Sequence, residues 1–73
     1  VRTDKLHQEL SEWISRHRKV ASLSQLELAE LAGVGKTVIF DLEHGKPGVR
    51  LDTLLKVLHA LNIDIELRSP LSD

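Results

Sequence analysis

The tract Gly33-Val34-Gly35-Lys36-Thr37 ends in the Gly-Lys-Thr triplet with which phosphate-binding loops hold a nucleotide through backbone amides, an ammonium and a metal-binding hydroxyl. That loop also needs a glycine where Glu30 stands and a strand in front, whereas helical spacing precedes it here. The triplet is a false match. The next groups able to move protons or bind metal are His7, His17, His44 and His59. No two of them stand four apart and cysteine is absent, so they read as surface or core-edge histidines rather than ligands. No catalytic constellation, metal site or cofactor site is expected. Any chemistry must then lie in how polar side chains are presented, which depends on the elements that carry them.

Those elements have little to work with. Seventy-three residues make at most one domain, and a chain of this size buries only about 60% of its unfolded surface. With no cysteine there is no disulfide to support it, which leaves self-association. The apolar runs are far shorter than the roughly 18 residues that cross a bilayer, and no charged-then-apolar leader opens the chain. A soluble, cytoplasmic protein with no membrane partner is expected. A hydrophobic content of 41% is that of a globular chain. The net charge of −1 and pI near 6.5 lack the overall basic signature of nucleic-acid binders, so any such role must rest on local charge.

Apolar spacing and helix punctuation predict four helices. The first starts from an N-cap at Thr3 and carries Leu6, Leu10, Trp13, Ile14 and His17 to about Lys19. Ser24 and Glu27 form a capping box at the head of a second helix, about Gln25 to Ala32. After Gly33-Val34-Gly35, a third runs from Lys36 to His44, with Ile39 and Leu42 inward and Gly45 closing it. Beyond the Lys46-Pro47-Gly48 turn, Leu51, Leu54, Leu55, Leu58 and Leu61 mark the fourth. Ile63, Ile65 and Leu67 then alternate with Asp64, Glu66 and Arg68, the period of a half-buried strand.

Two short helices joined by a glycine-containing turn form the helix-turn-helix unit, whose second helix enters the DNA major groove. Leu23-Ser24-Gln25-Leu26-Glu27-Leu28-Ala29-Glu30-Leu31-Ala32-Gly33-Val34, with Ile39-Phe40-Asp41-Leu42-Glu43-His44-Gly45-Lys46, resembles the lambda-repressor-like (XRE) helix-turn-helix family over about residues 6–61. Ala29 falls where two helices cross closely. The resemblance implies that Gln25 meets a phosphate and approaches a base, and that Lys36, Thr37, Phe40 and Asp41 lie on the groove-facing side of helix three. Lys36 can donate to guanine, Gln25 can pair with adenine or brace Lys36, and Thr37 offers a hydroxyl and a methyl. Phe40 and Asp41 depart from the usual polar, often basic pattern, because a carboxylate near DNA must find a cytosine amino group or be repelled. Lys36, Lys46, Arg50 and Lys56 lie around helix three and the following loop, so a local positive field can outweigh the net charge. Ser24 adds the amides of a helix N-terminus, which bind phosphate without formal charge. The resemblance also implies a partly buried ion pair between Arg18 and Glu43.

A lone strand leaves its backbone groups unpaired, so Ile63, Ile65 and Leu67 are expected to pair antiparallel with a second copy across a twofold axis. The expected protein is an all-α, compact four-helix lambda-repressor-like DNA-binding domain, residues 1–61. Residues 62–73 form a tail with the short C-terminal β-strand that joins chains of a dimer. Val49–Leu58 and the alternating tail are most similar to HipB-like antitoxins. That similarity implies a homodimeric repressor of a double-stranded DNA operator and a HipA-like kinase toxin as partner. The alternative is an interaction module of the same fold that neutralises a toxin without binding DNA, using Phe40, Asp41 and the outward Leu26.

Overall fold

A computed structural model describes residues 3–71, in which helical spacing becomes helix at all four predicted places. The helices are α1 (Thr3–Val20), α2 (Gln25–Ala32), α3 (Lys36–Glu43) and α4 (Leu51–Ala60). The cap expected of the Thr3 side chain falls outside the described residues. At α2 the capping box forms, with the Ser24 hydroxyl accepting from the Glu27 amide at 3.0 Å and the Glu27 carboxylate accepting from the Ser24 amide at 2.8 Å. Two of the orphan donors at that helix end are satisfied in this way.

Three of the helices end alike. Gly33 takes the left-handed conformation (φ +76°), and Val34 N–H closes back on the Ala29 carbonyl at 2.9 Å. Ser22 (φ +60°) and Asn62 (φ +58°) do the same for α1 and α4, with Leu23 N–H on Arg18 O and Ile63 N–H on Leu58 O. Each closure satisfies a carbonyl that the helix leaves open and turns the chain sharply. After α3, Gly45 (φ +69°) lies so close to α1 that an added Cβ would stand 3.3 Å from the Ser11 hydroxyl.

The core is formed by Ile14, Leu28, Ala29, Ile39, Leu42, Val57, Leu58 and Leu61. Helix α3 packs on both α1 and α2, and α4 packs on α2. Ala29 is 1% exposed, buried where its helix meets its neighbours. The leucine stripe of α4 is only partly inward: Leu58 and Leu61 are buried, Leu54 is partly buried, and Leu51 and Leu55 are exposed. Val57 completes the buried face instead. At 100° per residue, Leu51 and Leu55 sit roughly 70° and 110° away from the centre of that face. In α1 likewise, Ile14 is buried while Leu6 and Trp13 are about half exposed.

No strand is present among the described residues. Ile63 packs on the core and spends its amide on capping α4, and the tail beyond it has no ladder partner among the described residues. From there exposure rises, to 50% at Ile65 and 92% at Leu67. A cleft of about 190 Å³ lies between α1 and this tail, lined by Leu6, Leu10 and Trp13 on one side and Ile63 and Ile65 on the other. No helix of the described residues is long and apolar enough to cross a membrane.

Candidate nucleic-acid interface

The turn between α2 and α3 is Gly33-Val34-Gly35, and Val34 is pinned inward against the core. Ile39 (0% exposed) and Leu42 (7%) anchor the inner face of α3, which leaves Lys36, Thr37 and Phe40 on its exposed side. Lys36 and Thr37 form the first turn of α3, which follows Gly35 with no side-chain cap. The lysine ammonium therefore stands at the positive end of the helix dipole, a combination that attracts anions.

Asp41 and the loop after α3 form a second group. Asp41, Lys46 and Arg50 line one cleft of about 320 Å³ together with Val49 and Thr53. Lys46 lies 3.9 Å from the Asp41 carboxylate, and Arg50 lies 3.3 Å from Asp52, all with substantial exposure. These surface pairs are worth at most about 1 kcal/mol and are screened by salt, so both cations remain able to exchange a carboxylate for a phosphate. The same pairing weakens the local positive field on which a DNA contact would draw.

Phe40 stacks on His44, with ring centroids 3.9 Å apart and planes 24° from parallel. His44 Nδ1 lies 2.7 Å from the Phe40 carbonyl; a carbonyl only accepts, so the ring must carry its proton on that nitrogen. One face of Phe40 is thus occupied, while 48% of the residue remains exposed. Trp13 and His17 repeat the arrangement on α1, with centroids 5.4 Å apart and His17 Nδ1 2.7 Å from the Trp13 carbonyl. Spacing of four between an aromatic and a histidine is the sequence signal for both stacks.

Gln25 opens α2 and is held from below. Arg18 reaches across from α1 and donates to both oxygens of Glu43, Nε at 2.5 Å and Nη2 at 3.1 Å. Its third contact, Nη1 to the Leu23 carbonyl at 2.7 Å, fixes the chain just before Ser24. Gln25 Nε2 then donates to Glu43 Oε1 at 3.3 Å. Burial acts to raise the Glu43 carboxyl, but hydrogen bonds from Arg18 and Gln25, the Arg18 charge and Ser15 outweigh it and hold it below the ordinary carboxylate range. The hydrogen bond to Glu43 raises Arg18 against the opposing effect of burial.

At the Ser24 end, the capping box leaves the Gln25 and Leu26 amides without intrahelical partners. Glu27 sits there too; hydrogen bonds from the Ser24 amide and then its hydroxyl hold it ionised, and it opposes any close anion. The eight candidate residues thus fall into a cluster at Ser24 and Gln25, a turn at Lys36 and Thr37, Phe40 on its histidine, and the Asp41–Lys46–Arg50 cleft. The link from Gln25 to Glu43 and the stack under Phe40 had escaped sequence reasoning.

Residues 14–67 match the helix-turn-helix family HTH_3. The chain is 45% identical over 53 residues to an uncharacterized HTH-type transcriptional regulator, y4mF, of Sinorhizobium fredii (strain NBRC 101917 / NGR234). That alignment covers 73% of this chain and 70% of the relative. It is also 36% identical over 56 residues to the control protein C.SmaI of Serratia marcescens, covering 77% of this chain and 67% of that one.

Proposed function

Because the chain belongs to the helix-turn-helix family HTH_3, we propose that it is a sequence-specific DNA-binding transcriptional repressor that acts as a homodimer on two half-sites. The observation that carries this reading is the first turn of α3, where Lys36 and Thr37 stand exposed at a helix end with no side-chain cap. In this reading α3 enters the major groove, Lys36, Thr37 and Gln25 meet bases or adjacent phosphates, and Ser24, Lys46 and Arg50 hold the backbone. The transcriptional regulator among its relatives supports the regulatory role. Phe40 offers its free face to a thymine methyl, and Asp41 tempers the cleft.

The tail supplies the dimer: Ile65 and Leu67 are exposed in the single chain, and pairing with a second tail would cover them and satisfy the open backbone. Two half-sites would then lie about one DNA turn apart. The resemblance to HipB-like antitoxins extends the reading to an operon-regulating antitoxin that binds a HipA-like kinase.

Selection of the full chain on randomised duplexes tests the DNA role. A recovered consensus whose binding weakens steeply as salt rises is the expected result, since phosphate contacts release counterions. Retention of no sequence, or binding indifferent to salt, would return the protein to an interaction module of the same fold.

A further inference from the structure

We propose that Glu43 sets base specificity through Gln25: its carboxylate holds the amino end of the Gln25 amide, turning the carbonyl oxygen outward to read a base that presents an amino donor. This rests on the DNA-binding reading above, which gives Gln25 a base to meet. The starting fact is an asymmetry of chemistry. A carboxylate can only accept hydrogen bonds, and of the two ends of a glutamine amide only the NH2 can satisfy it. Gln25 Nε2 lies 3.3 Å from Glu43 Oε1. The amide therefore has one orientation, decided by its partner.

Glu43 cannot readily turn away. Its side chain is 6% exposed, and Arg18 grips both of its oxygens. The carboxylate is held below the ordinary range chiefly by the bonds from Arg18 and Gln25, so it stays ionised and acceptor-only through the neutral range. The same guanidinium holds the Leu23 carbonyl, so the backbone that leads into Gln25 is fixed to the group that orients its side chain. Gln25 itself is only partly buried, which leaves part of the residue open to a partner.

A free glutamine can swing its amide over and offer either a donor pair or an acceptor to whatever base it meets. With the amino end engaged, Gln25 offers its carbonyl oxygen and at most one N–H. That pattern suits adenine N6 or cytosine N4 in the major groove and opposes guanine O6, which is itself an acceptor. Glu43 touches no base. It is a positioning residue, and the pair makes α2 a selective reader alongside α3.

The test uses the full chain and the consensus recovered from randomised duplexes. The position read by Gln25 is the one where Gln25→Ala loses preference. On duplexes carrying each of the four base pairs there, Glu43→Gln should lower the preference for adenine or cytosine over guanine by about fivefold or more. Preference at the positions read from α3 should hold, and the Gln25→Ala/Glu43→Gln double variant should match Gln25→Ala. Unchanged preference at that position, or a uniform loss at every position, overturns the proposal. A missing consensus would instead remove the DNA-binding reading, and this inference with it.

Should Glu43→Gln fail to fold, NMR on the unaltered chain decides without DNA. The Gln25 side-chain NH2 protons should exchange with solvent measurably more slowly than those of the exposed Gln8. Equal exchange rates would show that Glu43 does not hold the amide.

Discussion

Arg18 and Glu43 meet with side chains only 13% and 6% exposed, so neither charge has bulk water to fall back on. Deleting one strands the other, and Arg18→Ala should cost about 3 kcal/mol. In a domain of this size that is a fall in Tm of at least about 12 °C, read by thermal melting; an unchanged melt would mean the pair contributes nothing. The Glu43 carboxyl is held low in the folded chain, so its contribution is present above the unfolded carboxylate value and is lost as pH falls through the folded one. Acid melts of the parent should therefore lose stability that Glu43→Gln no longer has to lose. At the interface, Lys36→Ala and Gln25→Ala should each weaken consensus binding by about 1–3 kcal/mol at fixed salt while the fold survives. Residues of this kind were nameable from the sequence only through family likeness. The Gln25–Glu43 bond joins positions 18 apart on different helices, and no spacing rule connects them before the fold brings them together.

Helix punctuation was more legible, because a cap is a local bargain between neighbouring residues. Ser24 with Glu27 announced α2, and Gly33 announced its end, since only glycine enters the left-handed region without a Cβ penalty. Ser22 and Asn62 carry the same conformation without that signal, imposed on them by the packing of Leu23 and Ile63 against the core. Ser22→Gly should accordingly stabilise the domain by up to about 1 kcal/mol, because relief of the strained backbone is partly offset by a more flexible unfolded chain. A chemical denaturation midpoint that falls for this variant would show that the Ser22 side chain contributes more than its backbone conformation costs. The leucine spacing announced α4 but not its buried face: so small a core admits only one side of the stripe and takes Val57 rather than Leu51 and Leu55.

At the scale of the molecule, the four helices account for the core, and the tail is where the chain stops being self-contained. Alternation marked residues 63–67 as a strand, but a strand is a property of pairs, and a single chain supplies no second member. In the proposed dimer, Ile65→Lys with Leu67→Lys should leave the monomer fold intact, since both side chains are exposed within the chain. Sedimentation should then show monomer at concentrations where the parent is dimeric, with consensus binding falling in step as the two half-sites are no longer engaged together. A persisting dimer would move the interface to the exposed leucines of α4. The cleft between α1 and the tail provides its own reporter. Trp13, which lines it half exposed, is the single tryptophan of a chain without tyrosine, so the intrinsic fluorescence of the protein comes from this one spot. Closure of a second tail over the cleft would shift that emission to the blue, and dilution would return it to the red, which makes self-association visible in an unlabelled sample.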